Sequence, residues 1–329
     1  MNSFGRLFRV SIFGESHGQS VGILVDGVAP GISLSKEDFQ SDLSRRKSGG
    51  LGTTPRIEAD DVLIESGVFN GKTTGAPVLL RFLNTNTKSK DYSNLVTQPR
   101  PGHSDFTANK KFDGFNDYRG GGAFSGRLTL GIVSAGVIAK KMLKGVSFDT
   151  KITNLYGETD SSKFVDILKD AVKNKDSVGG TVSIKITGIP YGLGEPYFDS
   201  AESCISHLLF SIGGVKGVEF GIGFNGVNLK GSEFNDPIID DKGKTKTNNN
   251  GGINGGITNG NPILVNVFVK PTPSVGVTQQ TYDFKENKVK DLEIIGRHDA
   301  AIILRAMVCL EAACAIALAD LTLIAKSMK

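Results

Sequence analysis

Three local patterns occur in this chain and then occur again in the same order. Residues 21–32 (VGILVDGVAPGI) and 182–193 (VSIKITGIPYGL) each read as an apolar strand, a glycine turn and the approach to a helix, with Gly27 opposite Gly188 and Gly31 opposite Gly192. Residues 74–82 (TGAPVLLRF) and 258–267 (TNGNPILVNV) each set a Gly and Pro turn ahead of an apolar strand. Gly126-Arg127 and Gly296-Arg297 then stand before the two long apolar segments. Convergent turn chemistry explains any one match, but the shared order favours two related halves, about 1–150 and 151–329, around a pseudo-twofold axis. No linker-like stretch separates them, so a single domain over 1–329 is expected, with strands covering a helical layer.

The apolar segment at 300–326 tests the membrane alternative. Arg305, Glu311 and Asp320 interrupt it well short of the ~20 apolar residues a span needs. Its run AMVCLEAACAIALA leaves little polar face, the pattern of a helix covered on several sides. With 39% apolar and 22% charged residues the chain falls in the ordinary globular class, and no membrane protein is indicated. The formal charge of +4 is scattered, which argues against nucleic-acid binding and suits a local anion pocket. Cys204, Cys309 and Cys314 lack metal-ligand spacing and the N-terminus lacks a secretory pattern, so a reducing, cytoplasmic setting is expected.

Ser35 is placed to cap a helix, with Asp38 reaching back and Leu34 stapling onto Phe39. That helix ends near Arg45, Arg46 and Lys47, three cations that complement the helix dipole or grip an anion. Two of the four histidines, His17 in GESHG (14–18) and His103 in RPGHSD (100–105), sit in glycine-flanked turns able to hold an imidazole against a ligand, although most lone loop histidines take no part in catalysis. His207 falls in a helical pattern and reads as a packing or surface residue. Glycine runs at 119–122, 213–214 and 248–256 expose backbone amides to a phosphate or a flat ring, with surface loops as the plain alternative. Asp299, at the mouth of the last helix, reads on local grounds as its N-cap.

Taken together, GESHG (14–18), RPGH (100–103), RGGG-x-x-SGR (119–127) and GRHD (296–299) resemble the chorismate synthase family. Further blocks in family order, from FRVSIFGESHG at 8–18 to KPTPS at 270–274, extend the resemblance over nearly the whole chain. It implies an α+β fold, a β-α-β sandwich with a helical layer between antiparallel sheets, usually assembled as a homotetramer. It also implies a carbon–oxygen lyase of the shikimate pathway. Anti-1,4-elimination of phosphate and a ring proton from 5-enolpyruvylshikimate 3-phosphate gives chorismate, and reduced FMN is required although nothing is oxidised overall.

The family pattern makes His103 the acid that neutralises the departing phosphate, His17 the residue serving the flavin, and Asp299 the group that works with the flavin N5 region to remove the ring proton. A substrate with two carboxylates and a phosphate calls for forked cationic donors. Arg46, Arg100, Arg127 and Arg297 are the candidates, with Arg45 a weaker one because adjacent arginines on a helix diverge. For the flavin the resemblance carries over Ala123, Phe124, Ser125, Gly213, Gly214, Gly255, Lys270, Pro271, Thr272, Pro273, Ser274 and Arg297.

The sequence departs from the common pattern at AFSGR (123–127), where Ala123 and Phe124 offer backbone only, and at 48–52, which lacks an arginine that Arg56 would have to replace. Gly213-Gly214 and Asn250 are further departures; none removes a proposed catalytic residue. No G-x-G-x-x-G follows a strand, so dedicated NADP binding is unsupported and reduced flavin is expected from an external reductant. A Gly-rich RNA-binding module is the rival of another class, weakened by few interleaved aromatics and small net charge.

Overall fold

The computed structural model describes residues 2–54, 59–85, 95–294 and 298–328. The first half carries β1 (Ser3–Phe4), β2 (Arg9–Gly14), β3 (Ser20–Asp26), helix α1 (Gln40–Arg46), β4 (Leu63–Ile64), the small hairpin β5 (Val68–Phe69) and β6 (Lys72–Thr73), β7 (Val78–Leu83), α2 (Asp105–Lys111) and α3 (Thr129–Met142). The second carries β8 (Ser147–Leu155), α4 (Phe164–Lys173), β9 (Gly180–Thr187), α5 (Ala201–Ser211), β10 (Val215–Phe220), α6 (Gly231–Phe234), the hairpin β11 (Ile253–Asn254) and β12 (Ile257–Thr258), β13 (Ile263–Val269), the hairpin β14 (Gln279–Asp283) and β15 (Lys288–Leu292), and α7 (Ile303–Ser327).

The two main sheets are antiparallel, with orders β1-β2-β3-β7-β4 and β10-β13-β9-β8. Matched strand for strand, β2-β3-β7-β4 has the topology of β8-β9-β13-β10, and in each half a two-residue-strand hairpin precedes the third strand. The sequence match at 21–32 and 182–193 thus falls on equivalent strands. Gly27 and Gly188 have φ of +79° and +78°, and a Cβ on either would strike the carbonyl leading into the half's first main strand, Leu7 O at 1.7 Å and Gly145 O at 2.1 Å. Alanine at either position is expected to cost more than the ~1–2 kcal/mol of left-handed backbone alone. Denaturant melts of Gly27→Ala and Gly188→Ala should show comparable losses, and tolerance at one turn with collapse at the other would contradict their equivalence.

Strand alternation aims one face of each sheet inward. Val21, Ile23 and Val25 of β3 are buried while Leu24 is exposed, and β7, β9 and β13 alternate likewise. The inward faces cover a helical layer: α3 lies against β3 and β7, α7 against β8 and β9, and the two long helices pack on each other. Both are buried nearly all round, as their largely apolar composition requires, and α7, though long and apolar enough to cross a membrane, is used as a core helix. Small residues allow the contact, since a Cβ on Gly136 would come within 2.4 Å of Ala312 Cβ.

One ion cluster, centred on buried Glu311, ties three helices together. Glu311 of α7 accepts two hydrogen bonds from Arg45 of α1, at 2.9 and 2.7 Å, and also pairs with Lys140 of α3, which reaches Asp42 at 2.6 Å. Burial alone would raise the Glu311 carboxyl, but the Arg45 hydrogen bonds and the Lys140 charge outweigh it and bring the group from 4.5 to about 2. The folded-state value lies below the unfolded one. The cluster's contribution is therefore complete above about pH 4.5 and lost as pH falls toward 2. An acid titration of stability should be shallower in that window for Glu311→Gln, which starts less stable at neutral pH; parallel curves would rule the linkage out.

Candidate active site

A cavity of about 750 Å³ opens between the N-terminal ends of α3 and α7, walled by the turns that connect the two halves' strands and helices. Its described lining holds five cationic side chains, Arg46, Lys47, Arg127, Lys270 and Arg305, against two carboxylates, Asp60 and Asp299. The excess of positive charge matches a polyanionic small molecule.

The glycine run of 119–122 organises one wall. Gly120, Gly121 and Gly122 all take positive φ, and the Gly122 carbonyl accepts from Ser16 N–H at 3.1 Å, docking the run onto the GESHG turn between β2 and β3. A Cβ on Gly120 would lie 2.6 Å from the His17 ring, and one on Gly121 would lie 3.6 Å from His103 Cε1. Two histidines 86 positions apart thus meet adjacent glycines of one segment.

Two arginines share Asp60. Its Oδ1 accepts from Arg127 Nη1 at 2.8 Å and its Oδ2 from Arg46 Nη2 at 3.3 Å; all three side chains are buried. Arg127 is held further by Asn84 Oδ1 at 2.6 Å and the Leu83 carbonyl at 3.2 Å, while the Asn84 amide donates to Glu15 and Gly18 carbonyls of the GESHG turn. Burial, and after it the nearby Arg305 charge, push the Arg46 guanidinium below its usual value, which favours an added anion. Arg45, one residue earlier, turns to Glu311 and does not line the cavity.

Asp299 is no helix cap. Helix α7 begins at Ile303 with Ile302 as its cap residue, and the Asp299 carboxylate instead accepts from Thr54 N–H at 2.7 Å and Arg305 Nη1 at 3.0 Å. Arg305 also donates from Nε to the Arg46 carbonyl, so the carboxylate is anchored at the cavity wall by the end of α1. Arg100 is buried beside the cavity, bound to Asp105, Ser274 and His103. His207 packs edge-on against Phe4, with centroids 5.1 Å apart, and lines the far side.

The residues suited to a flavin mononucleotide cluster at the same cavity. Ala123, Phe124, Ser125, Gly213, Gly214, Lys270, Thr272, Pro273 and Ser274 line it, with Pro271 inside the same turn. They fit the group on two counts. The buried Thr272 hydroxyl has no hydrogen-bond partner among the described residues, and burial, then the Lys216 charge, lower the Lys270 ammonium, so an anionic phosphate suits both. Gly255 lies in the β11–β12 turn and is not part of the lining; Arg297 and Arg56 fall outside the described residues. No motif in the sequence marks Asp60 or Asn84 for the site, and Arg305 reads there only as an interruption of the apolar 300–326 segment.

Fold and cavity define a class: an α+β protein with a cation-rich cavity between its two halves' helices. The chorismate synthase family model matches residues 8–323. The chain is 55% identical over 325 residues to the chorismate synthase of Chitinophaga pinensis, covering 98% of this chain and 97% of the relative. It is 42% identical to that of Methanocaldococcus jannaschii, covering 98% and 96%. A crystal structure of chorismate synthase superposes with a TM-score of 0.74 at 25% identity, covering 98% of this chain and 93% of the other. The chain belongs to the chorismate synthase family, whose members are lyases.

Proposed function

We propose that the cavity takes 5-enolpyruvylshikimate 3-phosphate and eliminates phosphate and a ring proton to give chorismate, with residues 1–329 acting as one domain. One observation carries the reading: adjacent glycines of one run meet His17 and His103, and His103 lines a cavity whose described cations outnumber its carboxylates five to two. The substrate's two carboxylates and phosphate are the kind of charge that such a lining attracts.

Arg46 and Arg127 bind anionic groups of the substrate and orient its ring. His103 delivers a proton to the phosphate oxygen as the carbon–oxygen bond breaks, so the leaving group departs with less charge. The ring proton passes toward Asp299, whose two oxygens are already oriented by Thr54 and Arg305. Lys270 and Thr272 would hold the phosphate of FMN, Ser125 and the Gly213–Gly214 backbone would lie along its ring, and His17 would keep a proton near it. Reduced FMN, when bound, supplies transient electron density to an elimination that is redox-neutral overall.

Reduced flavin comes from an external reductant in the cytoplasm, since no dinucleotide fingerprint is present in the sequence. Homotetramer assembly belongs to the same proposal and is supported by the exposure of Tyr197 (87%), Phe198 (93%) and Phe224 (75%). The test is anaerobic turnover with chemically reduced FMN, following phosphate release and chorismate absorbance. Both products are expected, and only with reduced flavin; folded protein that yields neither overturns the proposal.

A further inference from the structure

Asp105 belongs to none of the roles above, yet it is the most heavily engaged carboxylate at the site. It opens α2 two residues after His103, with its side chain 10% exposed. Oδ2 accepts from Arg100 N–H at 3.1 Å and Arg100 Nε at 2.8 Å; Oδ1 accepts from Arg100 Nη2 at 2.8 Å and lies 2.6 Å from His103 Nδ1. The remaining Arg100 nitrogen, Nη1, donates to Ser274 Oγ at 2.9 Å, which ties the arrangement to the turn after β13.

Asp105 Oδ1 lies 2.6 Å from His103 Nδ1, closer than two bare acceptors approach, which favours a hydrogen on Nδ1. Arg100 Nη2, with two hydrogens of its own, donates to Asp105 Oδ1 at 2.8 Å and lies 3.1 Å from Nδ1; in the Nδ1–H tautomer that second approach is a contact without a hydrogen bond. The imidazole edge beside Gly121 is left to Nε2 and Cε1. Burial would raise the Asp105 carboxyl, but the hydrogen bonds from Arg100 and His103 outweigh it and hold it well below the usual range, so it stays an anion at any working pH. Among the described residues, the charged groups around His103 are Asp105 and Arg100 on its own segment and Lys270, whose ammonium sits on the Gly102 carbonyl at 2.6 Å.

We propose that Asp105 is the positioning residue of His103: it fixes the Nδ1–H tautomer and the ring's orientation so that Nε2 is the site of the transferable proton, while Arg100 and Ser274 clamp Asp105 in place. This rests on the reading of His103 as the acid for the departing phosphate.

The measurement compares Asp105→Asn, Asp105→Glu and His103→Ala in anaerobic turnover with reduced FMN. The asparagine keeps the shape but offers an amide that favours the other tautomer. Its kcat is expected to fall by about 10²–10⁴-fold, with KM changed by less than about threefold. Asp105→Glu is expected to recover part of the loss. If His103→Ala is severely slowed but Asp105→Asn keeps the wild-type kcat, the positioning role is wrong. If His103→Ala is itself fully active, it is the acid assignment that fails. Nitrogen NMR of the wild-type histidine rings needs no variant to fold: His103 with a protonated Nδ1 and a titrating Nε2 supports the proposal, and a neutral Nε2–H ring overturns it.

Discussion

Alanine at His103 is expected to slow phosphate elimination by about 10²–10⁴-fold, the usual contribution of a positioned proton donor. The variant should keep its fold. His103 lies on a turn outside the apolar core, and its Nδ1 partner Asp105 retains three hydrogen bonds from Arg100. Flavin binding should also persist, because Thr272 and Lys270 come from a different segment. Single-turnover phosphate release with reduced flavin, alongside a melt and a flavin titration, separates loss of chemistry from loss of structure. A variant that folds, binds flavin and releases phosphate at the wild-type rate removes His103 from the chemistry.

The second large effect is on stability. Removing the carboxylate in Asp60→Ala leaves Arg46, 3% exposed, and Arg127, 9% exposed, facing one another without their shared counter-ion. Breaking a buried charge pair by deleting one partner costs about 3–5 kcal/mol. The lower end is expected, because Arg127 keeps Asn84 and the Leu83 carbonyl. Asp60 also adopts φ of +53°, a left-handed backbone that alanine tolerates less well than aspartate. Millimolar inorganic phosphate should restore part of the loss by binding between the guanidinium groups, and the recovery should grow with phosphate concentration. An unchanged melting temperature, or one indifferent to phosphate, contradicts the view of this pair as an anion site held open by Asp60.

Much of the architecture is legible in the linear pattern. Alternating Val, Ile and Leu in the segments that become β3, β7, β9 and β13 marks one buried face, and the largely apolar 300–326 stretch leaves little polar side for water. Gly27 and Gly188 stand at equivalent turns because only a residue without Cβ fits beside the carbonyls of Leu7 and Gly145. These are local demands, and a local reading finds them.

The site depends on contacts that no local rule encodes. Adjacent arginines at the end of α1 must diverge, but only the packing of α7 sends Arg45 to Glu311, 266 positions away, and leaves Arg46 facing the cavity. Asp299 has the composition of a cap, yet the helix starts at Ile303 because the carboxylate is drawn to Thr54 and Arg305. Asp60, Asn84 and Arg305 belong to no recognisable motif, and each acquires its role by neutralising or orienting a group from a distant part of the chain. Strand faces, turn glycines and buried helices follow from short-range sterics and hydrophobic period. Which charges share a buried space is a property of long-range packing, because electrostatic pairing is set by distance in three dimensions and not along the chain.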